Sequence, residues 1–359
     1  MIKSMEEIKE KVSEHKRLSK GDGIFLFSTD DIHGLGKIAN SLRERLYGNK
    51  AYYIKNLHIN YTNVCVRRCR FCAFYSKPTG PTAYTMSSEE IYENVLKYKG
   101  TGIKEVHIVG GVHPGLEYKY YLDICRAVKK AAPDIHLKAF TMIELAQIHD
   151  KSKKSIQDVL HELKESGLDM MPGGGAEVFS ERLHEKLFKN KLGSNEWLTL
   201  AEESHKSGFK TNATMLYGHI ETIEEKVCHL MKLRELQDRT GGFLSFIPLA
   251  FHPENTELSY LQGTTGLQDL RHIAVSRLML DNFPHIKTYW IMVTPSVSQL
   301  CLNYGADDID GTIIEEKITH AAGGKTPKGL SEETLKNLIK EAGRVPVERN
   351  ALYISVANN

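Results

Sequence analysis

The stretch LHINYTNVCVRRCRFC, residues 57–72, sets a strand-like run directly before three closely spaced cysteines. In the run, Leu57, Ile59 and Tyr61 share one parity and His58, Asn60 and Thr62 the other, the two-residue period of a β-strand. Comparable runs recur outward from it at Glu105–Val109, Ile135–Phe140, Leu168–Met171, Lys210–Met215, Phe243–Leu249 and Ile286–Met292, with a weaker eighth near Leu302–Ala306. Helix-like segments lie between them. Ser87 and Ser88 before Glu89 and Glu90 read as the cap of a helix running to Gly100, and Ser155–Glu165 as a helix closed by Gly167. Thr222–Leu236 and Leu267–Leu280 carry the same amphipathic spacing.

Strands alternating with helices imply a parallel sheet, and seven or eight such units predict a TIM-like (β/α)8-type barrel rather than a doubly wound sheet. A further helix is expected over Thr29–Tyr47, capped by Thr29 and stopped by Gly48, and a loop-and-helix extension after Asn303. The expected organisation is an N-terminal helical extension (1–50), a barrel core (51–305) and a C-terminal extension packed on the barrel (306–359). Chemistry in such a barrel belongs at the C-terminal ends of the strands, and the cysteines lie at the end of the first.

Composition excludes several classes. The chain has 359 residues, 41% hydrophobic and 26% charged, which is ordinary globular material. A net charge of +2 gives no broad field for nucleic acid or an anionic membrane. The N-terminal 23 residues lack an apolar signal region, and no apolar run approaches the ~20 residues of a membrane span. A cytoplasmic protein with reduced thiols is expected, with no nucleic-acid or membrane partner.

Half of the six cysteines fall within eight residues, as Cys65-x3-Cys69-x2-Cys72. A disulfide would leave one thiol over, and a structural zinc site needs four ligands. An iron–sulfur cubane has four irons, so three thiolates leave one iron open to a substrate. The cluster is the favoured reading over zinc and coincidence. Cys125, Cys228 and Cys301 stand alone and read as buried small hydrophobes.

This C-x3-C-x2-C pattern, with Phe71 before the last cysteine, resembles the radical S-adenosylmethionine family. The resemblance implies a [4Fe-4S] cluster on Cys65, Cys69 and Cys72 whose open iron chelates S-adenosylmethionine, and a 5′-deoxyadenosyl radical from cleavage of the sulfonium bond. It implies Phe71 against the adenine, and Gly110-Gly111 after the second strand holding the methionine amino group. Alone, that Gly-Gly would read as a tight turn. The family often has Glu next, whereas this chain has Val112-His113. Gly173, Gly174 and Gly175 follow the fourth strand, with Glu177 beyond them. These read either as a loop entering a helix or as a close approach to the adenosyl group, with Glu177 accepting ribose hydroxyls. Asn212 and Thr214 are inward-facing polar candidates of the fifth strand. Arg67, Arg68 and Arg70 combine three roles: a solvated face, a docking patch for an acidic low-potential electron donor such as a flavodoxin or ferredoxin, and partners of a bound carboxylate.

Longer strings narrow the resemblance. HINYTNVCVRRCRFCAFY, GGVHP, MPGGGAE, TNATMLYGHIET, GGFLSFIPLAFHPENTEL, GADDIDGT and GRVPVERNALY together resemble the aminodeoxyfutalosine synthase family of menaquinone biosynthesis, from about residue 30 to 355. This implies a transferase that adds the 5′-deoxyadenosyl radical to the enol ether of 3-[(1-carboxyvinyl)oxy]benzoate. Rearrangement and loss of the carboxyl group then give 6-amino-6-deoxyfutalosine. Two substrate carboxylates call for cationic or directed donors, for which His58, His219, His252 and Arg271 are candidates, with Asn60 beside His58. The alternatives are a dehypoxanthine futalosine cyclase, a deazaflavin-forming synthase, and a non-enzymatic iron–sulfur electron carrier.

Overall fold

The computed structural model describes residues 4–356. Its strands are β1 (Lys50–Ile54), β2 (Asn56–Ile59), β3 (Glu105–Ile108), β4 (His136–Ala139), β5 (Met170–Met171), β6 (Lys210–Tyr217), β7 (Phe243–Ala250), β8 (His285–Ile286), β9 (Asp308–Gly311) and β10 (Val345–Glu348). Strands β2 to β8 pair in sequence order, all parallel, and curl into a TIM-like partial barrel. Sequential parallel order is what repeated right-handed strand–helix–strand units produce. Val106, Leu137, Phe246 and Ile286 from four of these strands are fully buried.

The open side between β2 and β8 is bridged from the C-terminal part of the chain. Lys287 pairs with Asp308 on one edge and Leu57 with Ile314 on the other. Residues 308–314 thus occupy the place of an eighth strand. The expected strand at Leu302–Ala306 is instead a turn, and the true bridging strand begins a few residues later. β9 and β10 flank β1 in a three-stranded sheet, so the region beyond Asn303 contains strands as well as loops and helices. The seventh expected strand is also shorter. Only His285–Ile286 is extended in the sheet, and Trp290–Val293 turns into a short helix that ends at Thr294, φ +84°.

Helix starts follow side-chain capping. The Ser87 hydroxyl accepts the Glu90 N–H at 3.2 Å while Glu90 accepts the Ser87 N–H at 2.7 Å, the reciprocal arrangement that satisfies two free donors. Thr222 with Glu225 and Thr265 with Gln268 repeat it. The first helix after the expected Ser87 cap ends at Lys97, with a turn carrying the chain to Gly100. At the N-terminal end three helices form, Met5–Ser13, Lys20–Ser28 and Ile32–Tyr47. The last is capped by Asp31, which accepts the Gly34 N–H at 2.8 Å, rather than by Thr29. Among the described residues no helix is long and apolar enough to cross a membrane.

Candidate functional site

The C-terminal ends of the barrel strands surround a cavity of about 340 Å³, within the range of small-molecule sites. One end of it is built by the cysteine segment. Cys65, Cys69 and Cys72 all line the cavity, and all are free thiols. The segment is pinned from several directions. The Cys65 N–H donates to the Ser76 carbonyl at 3.0 Å, Val66 to Val112 at 3.0 Å and Arg70 to Leu187 at 3.0 Å. Arg68 takes φ +50° at the turn between the first two thiols.

The donor set fits an iron–sulfur cluster. Among the described residues no three His, Cys, Asp or Glu side chains converge on one single-ion position. A cubane gives each thiolate its own iron, so three thiols around one cavity end suit it better than a lone zinc. Burial pushes the Cys69 thiol up to about 12 and raises Cys72, so thiolates here need a cationic partner, which a cluster's irons supply. Of the isolated cysteines, Cys125 and Cys301 are fully buried as expected, whereas Cys228 is only half-buried.

Gly110 and Gly111 line the same end, and the structure gives them a packing role. A Cβ on Gly111 would lie 2.3 Å from the Val64 carbonyl oxygen and 3.0 Å from the Cys65 Cβ; one on Gly110 would lie 2.7 Å from the Tyr61 ring. The glycines therefore let the second strand end lie directly against the cysteine segment. Glu144 holds this contact. Its buried carboxyl accepts Tyr61 Oη and the Gly110 N–H, both at 3.0 Å, and the Thr141 N–H and hydroxyl, both at 2.8 Å. It ties three strand ends together. Burial pushes it up to about 7 against the pull of those four donors. Its signal in sequence was the capping position after Thr141, which looks like any helix start.

Gly173, Gly174 and Gly175 also line the cavity. Gly173 packs on the β6 backbone, where a Cβ would meet the Asn212 carbonyl at 2.3 Å. Glu177 faces the cavity but is paired with Lys191, and the Lys191 ammonium sits 5.4 Å from the centre of the Phe71 ring. Phe71, Lys191 and Glu177 form one stacked wall beside the thiols. Lys191 lies in a surface-like sequence, KNKLGS, and its role had no sequence signal.

The far half of the cavity is bounded by His58, His107 and Lys138 on the sheet side, by Ile247, Leu249 and Phe251 from β7 and the residue after it, and by Tyr289 and Met292. Residues after β9 complete it, among them Asp310, Glu316, Ile318 and Thr319. Asn60, Asn212, Thr214 and His252 line the cavity as well. Asn60 donates to the Val109 carbonyl at 3.3 Å and accepts the Lys317 N–H at 3.1 Å, so it locks the wall. His252 Nε2 lies 2.8 Å from the Met292 carbonyl.

Two expected site residues lie elsewhere. The His219 side chain is inaccessible, with Nε2 3.0 Å from the Leu216 carbonyl and Nδ1 against Glu221. Arg271 donates to the Leu26 and Thr29 carbonyls and so ties down an N-terminal helix. Both are cases where a polar side chain satisfies backbone groups.

The Radical SAM superfamily model matches residues 59–232, and the CofH/MqnC C-terminal region matches 240–357. The chain is 46% identical over 353 residues to an aminodeoxyfutalosine synthase of Thermus thermophilus, covering 97% of this chain and 95% of that protein. The chain belongs to the radical SAM superfamily. A Streptomyces coelicolor aminodeoxyfutalosine synthase is 40% identical, covering 97% of this chain and 92% of that protein. A Methanococcus maripaludis 5-amino-6-(D-ribitylamino)uracil–L-tyrosine 4-hydroxyphenyl transferase is 37% identical, with 94% and 97% covered. Among solved structures, methylornithine synthase superposes with a TM-score of 0.76 at 19% identity, covering 94% of this chain and 97% of that one, which supports the barrel alone. As a radical SAM enzyme the protein uses a [4Fe-4S] cluster and S-adenosylmethionine, which excludes a simple electron carrier.

Proposed function

We propose that this enzyme joins the 5′-deoxyadenosyl group of S-adenosylmethionine to the enol-ether methylene of 3-[(1-carboxyvinyl)oxy]benzoate. Rearrangement and loss of the carboxyl group would yield 6-amino-6-deoxyfutalosine for menaquinone biosynthesis in the cytoplasm. The observation that carries this reading is 46% and 40% identity to two aminodeoxyfutalosine synthases over 97% of the chain. Cys65, Cys69 and Cys72 would hold the cluster, which when bound supplies the electron that opens the sulfonium C–S bond.

The chain's own residues would do the rest. Gly110 and Gly111 offer backbone at the thiol end, where S-adenosylmethionine belongs. Gly173 to Gly175 leave room for its adenosyl part, and the wall of Phe71, Lys191 and Glu177 flanks it. The second substrate then takes the far half, so the adenosyl carbon and the alkene meet at mid-cavity. Placement of this kind can supply ~7–11 kcal/mol of a barrier, and a largely apolar lining offers few stray hydrogen donors. The exposed Arg68 and Arg70 lie beside the thiols, a surface suited to an acidic low-potential electron donor.

The test is product mass after anaerobic incubation with S-adenosylmethionine, reductant and the enol ether. An adenosyl–substrate adduct that has lost the carboxyl group is expected. Accumulation of 5′-deoxyadenosine without adduct overturns the assignment and favours the cyclase. The 37% identity to tyrosine 4-hydroxyphenyl transferases supports a second reading, which turnover of L-tyrosine with 5-amino-6-(D-ribitylamino)uracil would establish instead.

A further inference from the structure

Three inward side chains stand in register on adjacent strands at the floor of the far half. His58 pairs with His107 across β2 and β3, and His107 with Lys138 across β3 and β4. The two imidazole rings lie 4.5 Å apart, and all three side chains line the cavity. His58 has one weak contact, Nε2 to Asn56 Nδ2 at 3.4 Å, while among the described residues neither ring nitrogen of His107 has a protein hydrogen bond. His107 is half-buried and presents its ring to the cavity, and ring nitrogens that face a cavity without a protein partner are open to an acceptor on a ligand. Resting on the function proposed above, we infer that His58, His107 and Lys138 form the binding floor for one carboxylate of the second substrate.

Charge around the floor sets how it works. Lys138 is paired with Glu105 at 2.6 Å, and Lys287, the residue directly after β8, faces Asp310 at 3.4 Å. Arg349, paired with Asp308, also pulls on Glu105, and Tyr289 and Glu316 line the same cavity. The cations are thus already matched, and both imidazoles are held neutral by burial and by the two lysines, His58 at about 3. A carboxylate entering this neutral floor needs a new counter-charge. The nearest source is a proton taken from solvent by one of the two rings. An anion ~4 Å away in a medium of effective dielectric ~20 raises an imidazole by roughly three pH units, which brings His58 from about 3 to near 6. Carboxylate binding would therefore draw in roughly half a proton at pH 6 and weaken toward pH 8.

The test uses 3-(carboxymethoxy)benzoate, an analogue that keeps both carboxylates but lacks the reactive methylene, titrated calorimetrically into anaerobically reconstituted enzyme with S-adenosylmethionine. Heats in buffers of different ionisation enthalpy report the protons taken up. Uptake at pH 6, with affinity falling as pH rises, is expected. His107→Phe, which keeps a ring against His58, should weaken the analogue roughly 10- to 100-fold while leaving S-adenosylmethionine binding intact. If that variant does not fold, wild-type proton uptake decides alone. Adduct formation from the enol ether together with buffer-independent, pH-independent analogue binding overturns the floor and leaves the reaction standing. Absence of both adduct and analogue binding overturns the two together.

Discussion

Replacing Gly111 by Ala tests whether the Gly-Gly turn serves the cysteine segment or only a ligand. The added Cβ would sit 2.3 Å from the Val64 oxygen and 2.8 Å from its carbonyl carbon, so about 1 Å of movement is needed to reach normal contact. Neither side moves freely. Gly111 donates to the Thr62 carbonyl at 2.8 Å, Val64 to the Thr62 hydroxyl at 3.1 Å, and Cys65 to the Ser76 carbonyl at 3.0 Å. Overpacking of this kind costs ~1–3 kcal/mol, and a broken hydrogen bond adds ~0.5–1.5 kcal/mol. The sum is about 1.5–4.5 kcal/mol, several degrees in Tm for a chain of this length. Displacing Cys65 should also lower the iron and sulfide retained after anaerobic reconstitution. Gly100→Ala is the control, because nothing lies within 4 Å of a Cβ there and only its φ of +87° is strained. It should cost ~1 kcal/mol and keep its iron. A Gly111→Ala protein with wild-type Tm and full iron, defective solely in S-adenosylmethionine affinity, would show that the turn serves the ligand and refute the packing argument.

Replacing Cys65, Cys69 or Cys72 singly by Ser should abolish the iron–sulfur absorbance and product, whereas Cys125→Ala and Cys301→Ala should lower Tm and keep both. Glu144 titrates at about 7 in the folded protein against an ordinary 4.5. The folded state therefore keeps a proton that the unfolded chain has lost, and this group's contribution to stability declines as pH rises from about 4.5 to 7, by about 3 kcal/mol in all. Glu144→Gln removes that decline, so its destabilisation in urea should be larger at pH 5.5 than at pH 8; an equal penalty at both sinks the assignment. Lys191→Met strands Glu177 in a buried site and should cost ~3–5 kcal/mol. The double change with Glu177→Leu should recover most of that stability but not S-adenosylmethionine affinity, and recovery of both would remove the wall from the binding site. Arg271→Ala should loosen the N-terminal helix in hydrogen exchange without raising KM for the enol ether; a raised KM would return Arg271 to the site.

Parts of this site are legible in sequence because they are local. Three thiols within eight residues need no tertiary information, and strand parity gives His58 of β2 and Asn60, just beyond its end, the same facing, and both reach the cavity. What is illegible depends on pairing between distant strands. Glu105 and Lys138 read as ordinary charged residues, yet the register of β3 against β4 buries them as a pair, 1% and 3% exposed. The bridging strand is harder still. Asp307, Asp308 and Asp310 belong to a sequence with poor strand propensity, and they tolerate burial because Arg277, Arg349 and Lys287 meet them. A propensity scan passes over it toward the more ordinary Leu302–Ala306. The histidines show the converse failure, since composition cannot tell His219, which satisfies a backbone carbonyl, from His107, which faces open space.

The bridging segment also builds one wall of the cavity. The chain that closes the sheet by pairing Ile314 with Leu57 continues directly into Glu316, Ile318 and Thr319, which line the cavity. Asn60 binds the Lys317 N–H at 3.1 Å, Asn255 the Ala321 carbonyl at 3.1 Å and Thr326 the Ile291 carbonyl at 2.7 Å. Strand ends from three sides of the barrel therefore hold one wall. Sheet closure and shielding of the cavity on this side are two consequences of the same stretch of chain. A reaction through a carbon radical needs the second more than it needs any single acid or base, because a stray hydrogen donor would end it. That is why buried ion pairs, costly elsewhere, stand at the seam: they fix the position of the wall that the chemistry depends on.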